Sequence, residues 1–375
     1  MRSANGIGLL NLIRQHAPVS RASLARLSRL SKPTVSNCVE SLIEQGWVFE
    51  QGQGESGARG GKKPMLVRFN SDAGRLVAVE LGAEQIRIAL ADLDGTIVDR
   101  LSLPTQVTKG AARVLDRAVC GIEKIFERDR ARPRQRVIGV AAPGRVDVRQ
   151  GIVLEAGNLF HWREVNIRER LERTFHGAVY VDNNVNMAAL GELHHGSARN
   201  SSNFVLVRLD TGIGCGVVTG GKLHQGTHWA AGEIAHMVFD TSHARDDWRV
   251  RGYLESIVGS DRSEAGARAI RARGDGSKAL DNAALHLGMA VTSVICAYDP
   301  AMVVLQGEGF RPVLARIKEI VSKTVPWETK ICMSVAGDDA VILGTIEAAR
   351  AYAYNGIAHS LAGSGRAPSA AILDL

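Results

Sequence analysis

Aromatic residues and cysteines are scarce in this sequence. Of its 375 residues, 5% are Phe, Trp or Tyr and five are Cys. The cysteines are odd in number, scattered and never paired at the spacing of a metal site, which argues against a disulfide framework and a cysteine-rich metal cluster. We therefore expect reduced thiols in a cytoplasmic protein; the five are Cys38, Cys120, Cys215, Cys296 and Cys332.

Long apolar runs are missing as well. No stretch approaches the ~20 apolar residues that a membrane-spanning helix needs, and the N-terminal MRSANGIGLLNLIRQH lacks the apolar core of a signal peptide. We expect neither export nor a membrane partner. Apolar residues make up 45% of the chain and charged residues 23%, a balance typical of globular domains. The length indicates two or three domains, and forty glycines favour a loop-rich α/β body.

Charge is present but unevenly distributed. Residues 1–70 contain ten Lys or Arg and four Asp or Glu, so their net charge is +6, out of +7 for the whole chain. Residues 71–375 contain 36 basic and 35 acidic groups and are nearly neutral. A small basic module on a large neutral body is typical of a DNA-binding domain joined to a domain with a different task.

The basic module, which we place at residues 1–72, has the pattern of a helix-turn-helix. The apolar residues between Leu9 and Ile13 predict a first helix. Ser20 is the expected N-cap of a second helix, because its hydroxyl can accept from a free N–H of the first turn. We expect Leu24 and Leu27 to face inward from that second helix.

A third helix and a wing follow. Ser31 is the expected cap of the third helix, and Val35, Val39 and Leu42 fall on one face at helical spacing. The sequence WVFEQ then alternates like a strand, and a Gly-rich basic loop leads to a second strand, MLVRF. These elements together predict a winged helix-turn-helix.

The third helix and the wing carry the candidate DNA-binding residues. Side chains near the start of such a helix can reach base edges in the major groove, and Asn suits bidentate contact with adenine. Basic wing residues would contact phosphate or a minor groove. The alternatives are a helical hairpin with a solvated charged surface, or a winged helix used for protein contacts. The candidates are Lys32, Pro33, Thr34, Ser36, Asn37, Arg59, Lys62 and Lys63.

The rest of the chain predicts two related α/β lobes. Three strand patterns begin at Leu76, a helix and the strand VIGVAAPG follow, and a similar strand-turn-strand pattern recurs in NFVLVRLDTGIGCGVVTGGKL. Two such lobes, each starting with a β-hairpin, are the plan of the actin-like (ribonuclease H-like) ATPase fold. We place the first lobe at residues 73–185 and the second at 186–375, and expect the C-terminal helix to pack back on the first.

Two hairpin turns bear on nucleotide binding. The glycines in DTGIGCGVVTGGKL, residues 210–223, would let backbone N–H groups approach an anion, although a plain tight hairpin explains them equally well. In an actin-like kinase the first hairpin carries an acid, glycines and a Thr for phosphate and metal. Here that turn reads Glu80-Leu81-Gly82-Ala83-Glu84-Gln85. Glu84 would repel a polyphosphate and the hydroxyl is missing, so we expect no ATP cofactor.

From residue 6 to about 360, the chain resembles the ROK family (repressors, open reading frames and sugar kinases). The regulator branch, which includes xylose and N-acetylglucosamine repressors, is the closer match because ROK kinases lack the winged head. Besides the head, the motifs that carry the resemblance are APGRVD at 142–147, EAGNLFHW at 155–162, DNNVN at 182–186, DTGIGCG at 210–216, GEIAH at 232–236 and LQGEG at 305–309.

The resemblance implies a sugar pocket without catalysis. ROK kinases have an Asn-Asp pair at the place of Asn183 and Asn184, and the Asp is the general base. A carboxamide has no pKa in the useful range and cannot take the proton of a sugar hydroxyl. It can still exchange hydrogen bonds with that hydroxyl. The residues that the resemblance places in the pocket are Asn158, Asn183, Asn184, Glu233, His236 and Glu255; alternatively they are satisfied polar groups of loops and core.

The zinc site of many ROK proteins is altered in this sequence. That site uses the counterpart of His236 and three cysteines, and the matching positions here are Asp246, Trp248 and Tyr253. Trp and Tyr are poor ligands for structural zinc. We therefore expect no zinc, with Trp248 and Tyr253 ordering the segment by aromatic packing.

The resemblance as a whole implies a sugar-responsive transcription regulator, a repressor without enzymatic activity. We expect a homodimer or homotetramer on a palindromic double-stranded operator, with a sugar or sugar phosphate bound between the lobes. Two alternatives stay open. One is an active ATP-dependent sugar kinase with a DNA-binding head, and the other is a regulator controlled by a protein partner instead of a sugar.

Overall fold

The computed structural model of the chain describes residues 2–54, 63–131, 133–156, 162–259 and 276–361. An N-terminal head packs on two lobes, and each lobe is built around one five-stranded sheet.

Three helices and a three-stranded antiparallel sheet, in the order β1-β3-β2, form the head. Leu24, Val35 and Val39 are fully buried and form its core with the apolar face of the first helix. Truncating such a side chain to Ala typically costs about 2–5 kcal/mol, so these contacts fix the helix-turn-helix. The elements are α1 (Arg2–His16), β1 (Val19–Ser20), α2 (Arg21–Ser28), α3 (Lys32–Glu44), β2 (Val48–Gln53) and β3 (Met65–Phe69).

Both predicted caps of the head are present. The Ser20 hydroxyl accepts from Ser23 N at 3.1 Å, and the Ser31 hydroxyl accepts from Thr34 N at 3.3 Å. The expectation for Leu27 is wrong, because its side chain is 47% exposed. Leu24 is the buried residue of this eight-residue helix, and the chain turns at Arg29 with a left-handed φ of 57°, which leaves Leu27 on the surface.

The first lobe has the sheet order β11-β7-β4-β5-β6. The strands β4, β5 and β6 form an antiparallel meander, and β7 and β11 extend it in parallel. A small antiparallel sheet, β10-β9-β8, lies at one end. The elements are β4 (Gly74–Leu81), β5 (Gln85–Ala91), β6 (Ile97–Pro104), α4 (Ala111–Arg128), β7 (Gln135–Ala142), β8 (Arg145–Asp147), β9 (Ile152–Glu155), β10 (Arg163–Asn166), α5 (Ile167–Phe175) and β11 (Ala178–Asn183).

The second lobe repeats this plan with the order β14-β13-β12-β15-β16. An antiparallel meander is again extended by two parallel strands, which is the duplicated arrangement expected for an actin-like fold. The elements are α6 (Asn184–His195), β12 (Phe204–Leu209), β13 (Ile213–Thr219), β14 (Lys222–Leu223), α7 (Tyr253–Val258), α8 (Gly276–Tyr298), β15 (Met302–Gln306), α9 (Leu314–Thr324), β16 (Lys330–Met333) and α10 (Ala340–Leu361).

Two helices connect the parts of the molecule. The helix α6 packs against α10 and against β12 and β13 of the second lobe. The helix α10 lies on β4 and β7 of the first lobe and also contacts α1 of the head. The boundary that the sequence suggests after residue 185 falls within the first turn of α6, so this helix is shared between the lobes.

One helix departs from the expectation of no long apolar run. The segment Lys278–Tyr298 is long and apolar enough to cross a membrane, with a mean hydropathy of 1.3. Its Leu287, Val291 and Ile295 are buried in the core of the second lobe. A core helix passes the same test of length and composition, and the packing here is that of a core helix.

Candidate functional site

A cleft of about 590 Å³ opens between the two lobes. Strand ends and turns of both lobes line it, including the glycine-rich turn at Thr211 to Gly214. Five of the six residues predicted for a sugar pocket line this one cleft: Asn183, Asn184, Glu233, His236 and Glu255. The sixth, Asn158, lies outside the described residues. Residues from distant parts of the sequence thus meet in a polar cleft of the size that a small ligand needs.

Asn183 fixes the start of α6 at the cleft. Its Oδ1 accepts from Val185 N at 2.7 Å and from Asn186 N at 3.3 Å, and its Nδ2 donates to Gly144 O at 2.6 Å. The side chain is therefore an N-cap that also ties the 142–147 turn to the helix. Most of its hydrogen-bonding capacity is used within the protein, which favours a positioning role.

Asn184 is the first residue of α6 and lines the cleft beside this cap. Within the described ranges, its side-chain amide forms no hydrogen bond to another protein group. An amide in this position offers one acceptor and two donors to a ligand hydroxyl. It offers no titratable base.

Asp182, a buried carboxylate two residues before Asn184, was not singled out from the sequence. It accepts from Tyr180 Oη at 2.8 Å, Gln225 Nε2 at 2.8 Å and Asn186 Nδ2 at 2.9 Å. Burial raises the pKa of Asp182, while these donors act in the opposite direction. Asp182 does not line the cleft, and its oxygens already accept hydrogen bonds. It therefore positions neighbouring residues of the site and does not contact a ligand itself.

Glu233, His236 and Glu255 form the acidic side of the cleft. Burial raises the pKa of Glu233 and the charge of Glu255 adds to the rise, whereas His236 and Arg145 oppose it. Glu233 is nevertheless open to solvent on one side, so it remains accessible to a ligand. His236 Nδ1 lies 3.0 Å from Trp248 O, and this contact orients the ring. The group supplies acceptors suited to sugar hydroxyls.

Glu80, the acidic residue at the end of β4, belongs to an internal ion-pair cluster. Glu80 is buried and accepts from Arg87 Nε at 2.6 Å. Across the cleft, Arg208 Nη2 lies 3.7 Å from Glu80 Oε1 and 3.1 Å from Asp210 Oδ2. Burial raises the pKa of Glu80, and the two arginines partly offset this. Sequence reasoning missed the arginines because they come from β5 and β12.

Glu84 lies outside the cleft, so the expectation that it would repel a bound polyphosphate is wrong. Its side chain is exposed and does not line the cleft, and its backbone oxygen accepts from Thr105 N at 2.8 Å. The negative charge that meets the cleft in this hairpin is that of Glu80. The register of the β4–β5 hairpin, which turns Glu84 outward, was not readable from the sequence.

Aromatic rings surround the positions that the sequence aligned with a zinc site. Trp248 and Tyr253 make an edge-to-face contact with centroids 5.2 Å apart, and His243 makes another with Trp248 at 6.0 Å. Asp246 Oδ2 lies 2.8 Å from His243 Nδ1. Among the residues that the structure describes, no group of three His, Cys, Asp or Glu could hold a metal ion.

The candidate DNA-binding face lies on the outer side of α3. Lys32, Pro33, Ser36 and Asn37 are exposed, whereas Thr34 is half-buried and its Oγ1 lies 2.8 Å from Ser31 Oγ. Lys63 is exposed at the base of the wing, and Arg59 and Lys62 lie outside the described residues. Arg21, which the sequence did not single out, pairs with Glu50 at 2.8 Å and joins α2 to the wing strand.

Comparisons with known proteins agree with this architecture. Residues 76–247 match the model of the ROK family, and residues 2–48 match a winged helix-turn-helix DNA-binding model. The chain is 29% identical over 340 residues to the xylose repressor of Bacillus subtilis (strain 168), covering 84% of this chain and 86% of that protein. A relative from Caldicellulosiruptor sp. (strain Rt8B.4) is 32% identical over 243 residues, which cover 64% of this chain and 60% of that protein.

A solved structure extends the likeness to the whole fold. The crystal structure of a ROK family transcriptional regulator, described as a homolog of the E. coli MLC protein, superposes with a TM-score of 0.74. The match covers 97% of this chain and 99% of the other at 22% sequence identity, so it bears on the fold alone. The two matches place a segment similar to winged helix-turn-helix DNA-binding domains, residues 2–48, ahead of a segment similar to the ROK family, residues 76–247.

Proposed function

We propose that this protein is a DNA-binding transcription regulator, a repressor, whose affinity for its operator is changed by a sugar or sugar phosphate bound between the lobes. The single observation that carries the proposal is the cleft itself. It unites Asn184, Glu233, His236 and Glu255 as hydrogen-bonding groups. The resemblance implies that the amide of Asn184 stands where ROK kinases carry their general-base carboxylate. The related xylose repressor of Bacillus subtilis supports the same function for the head and cleft together.

Two features argue against sugar phosphorylation. Asn184 cannot accept the proton of a sugar hydroxyl, because an amide has no useful basicity. The carboxylate of Glu80 is neutralised by Arg87 and Arg208, so it is unavailable to a metal ion that would accompany ATP. The alternative of an active kinase would need both features to be overcome. We propose that neither ATP nor zinc is a resident cofactor.

In this proposal, the head binds the operator DNA. The exposed residues of α3 suit the major groove, and the positive charge of the head favours the phosphate backbone. Two heads in a homodimer, or more in a homotetramer, would match a palindromic operator and multiply its affinity.

A route from the cleft to the head runs along α6. This 12-residue helix, about 18 Å long, begins at Asn184 in the cleft. It ends at His195, whose Nε2 lies 2.8 Å from Glu347 Oε1 on α10. Glu347 also accepts from Arg350 Nη2, and Arg350 Nη1 donates to Asp94 O at 3.2 Å. A ligand that shifts the start of α6 would therefore also displace α10 through these contacts.

Arg14 of α1 connects α10 to the head. Its guanidinium carbon lies 3.5 Å from the centroid of the Tyr354 ring, and Tyr354 Oη donates to Leu93 O at 2.8 Å. Arg14 Nε is buried with no hydrogen-bond partner in the part of the chain that is described, and burial lowers the pKa of Arg14. Because α1 also packs on α3, a movement of α10 would reach the DNA-binding helix through one element.

The proposal is tested by a thermal-shift screen of the full chain against pentoses, hexoses, amino sugars and their phosphates. A ligand of the native state raises the melting temperature by mass action, so at least one sugar should do so in a concentration-dependent way. If every sugar fails, a protein partner is favoured as the effector. A coupled ATPase assay with the same sugars tests the kinase alternative, which robust turnover would support.

A further inference from the structure

Three arginines line the cleft, and two of them have carboxylate partners. Arg208 pairs with Glu80 and Asp210, and Arg249 Nη2 lies 2.6 Å from Asp247 Oδ2. The third is Arg145, at the start of β8. Within the described residues, no carboxylate oxygen lies within 4.0 Å of its guanidinium. Arg145 is thus a cation in the cleft wall without a counter-charge at contact distance.

The neighbouring strand does not supply that counter-charge. Glu155 on β9 is the register partner of Arg145, and its carboxylate would be the expected mate. The guanidinium is directed elsewhere, and Nη1 donates to His228 O at 3.2 Å. His228 belongs to the second lobe, so Arg145 reaches across the cleft next to Trp229, another lining residue.

The turn that carries Arg145 is firmly held. Gly144 has a left-handed φ of 74°, and a Cβ at this position would lie 2.2 Å from Glu155 O. Gly144 O accepts from the Nδ2 of Asn183, the cap of α6. The backbone of Arg145 is therefore fixed next to the predicted sugar-binding residues, while its side chain has unused donors facing the cleft.

A guanidinium has five N–H donors, and one of those of Arg145 is used. Closure of the lobes around a ligand would remove water from this group. Desolvating a charge is costly unless it is paired, and Glu233, whose pKa Arg145 lowers, lies beyond ion-pair distance, so a neutral ligand would leave the guanidinium without a direct partner. A carboxylate or phosphate would instead form charge-assisted, bidentate hydrogen bonds with Arg145.

We infer that the effector carries an anionic group in addition to its hydroxyls, and that Arg145 binds this group. The ligand class is therefore a sugar acid or a sugar phosphate in preference to a neutral sugar. This inference rests on the proposed function, because it concerns the same cleft. Glu233 and Glu255, which line the same cleft, would bind hydroxyls of the ligand.

The test compares matched ligands on the full chain by calorimetry and thermal shift. The probes are glucose, glucose 6-phosphate, gluconate and glucuronate, with xylose, xylonate, N-acetylglucosamine and its 6-phosphate as a second set. We expect one anionic member to bind roughly 10- to 100-fold more tightly than its neutral parent, the range of a charge-assisted pair. The phosphate and carboxylate arms distinguish the two sources of charge.

The variant Arg145→Gln should lose this preference and bind the anionic and neutral members with similar affinity. Arg145→Lys, which keeps the charge without the planar fork, should retain part of it. Arg163→Gln is the matched control, because Arg163 is exposed on the same small sheet and does not line the cleft. The melting temperatures of the ligand-free variants show whether each is folded.

The outcomes separate this inference from the proposed function. The inference is overturned if a neutral sugar binds as tightly as its acid and its phosphate, or if Arg145→Gln leaves the preference unchanged. In either case the proposed sugar-responsive function still stands. If no probe binds at all, both are overturned.

Discussion

The outer face of α3 and the floor of the cleft use charge and polarity in opposite ways. On α3, Lys32 and Asn37 are exposed, and their side chains form no hydrogen bond or ion pair with the described parts of the chain. On the floor of the cleft, Glu80 is buried and its charge is balanced by Arg87 and Arg208. The first surface is prepared for an external polyanion. In the second region, the acidic side chain of Glu80 is already paired within the protein.

This contrast explains how a kinase-like fold can serve a different task. In the proposed function, the internal pairing of Glu80 would keep its carboxylate from binding a metal ion, while Asn184 and Glu233 line the cleft and are available to a sugar. In the proposed function, DNA binding would then depend on a mechanical link between the two regions. That link would run through α6, α10 and Arg14.

The largest expected effect concerns the paired charges of the cleft floor. Arg87→Ala removes the nearest partner of the buried Glu80 carboxylate, and we expect the free energy of unfolding to fall by about 3 kcal/mol. Urea or thermal unfolding measures this loss. The double variant Glu80→Gln with Arg87→Ala should recover part of it, because no buried charge remains. Unchanged stability of Arg87→Ala would contradict the internal role of the cluster.

The exposed face of α3 should behave in the opposite manner. Asn37→Ala should weaken operator binding by about 1–3 kcal/mol, the value of a bidentate base contact. Its unfolding free energy should stay within about 0.5 kcal/mol of the wild type. Fluorescence anisotropy with operator DNA measures the first quantity, and ligand-induced stabilisation of the cleft should be unaltered. A variant that binds operator normally would exclude Asn37 from the interface.

Weakening the contact between α1 and α10 should have an intermediate effect on how the effector changes operator affinity. Arg14→Gln removes the stacking on Tyr354, and we expect the change in operator affinity caused by the effector to shrink by about 1 kcal/mol. Tyr354→Phe, which keeps the ring, should alter it less. The measurement is operator affinity with and without a saturating effector. Arg311→Gln, an exposed site outside this route, is the control. Full coupling in Arg14→Gln would place the route elsewhere.

The smallest effect is expected from placing a carboxylate at position 184. Asn184→Asp should produce no measurable sugar-dependent ATP turnover, because Glu80 stays paired with Arg87 and Arg208. A coupled kinase assay checks this. Measurable turnover would show that the cluster does not prevent nucleotide and metal binding.

Local features of the fold could be predicted where neighbouring residues decide them. The caps at Ser20 and Ser31 and the buried face of Val35 and Val39 follow from spacing within one helix, and the structure confirms them. Leu27 could not be judged in this way, because its exposure depends on where a short helix ends.

The chemistry of the cleft could be predicted only in part from the sequence. Motif resemblance brought Asn183, Asn184, Glu233, His236 and Glu255 to one cleft. The pairing of Glu80 with Arg208 and the stacking of Arg14 on Tyr354 join residues that are far apart in sequence. Such contacts depend on the packing of the two lobes and the head, and one sequence contains no periodic signal for them.

The most direct test of the account is an anisotropy titration of the full chain with a labelled duplex taken from upstream of its own gene. The titration is repeated with each sugar, sugar acid and sugar phosphate, and with ATP. We predict that at least one carbohydrate changes operator affinity by roughly fivefold or more, whereas ATP has no effect and is not consumed. Operator affinity that is unchanged by every carbohydrate, together with ATP consumption in the presence of a sugar, would contradict it.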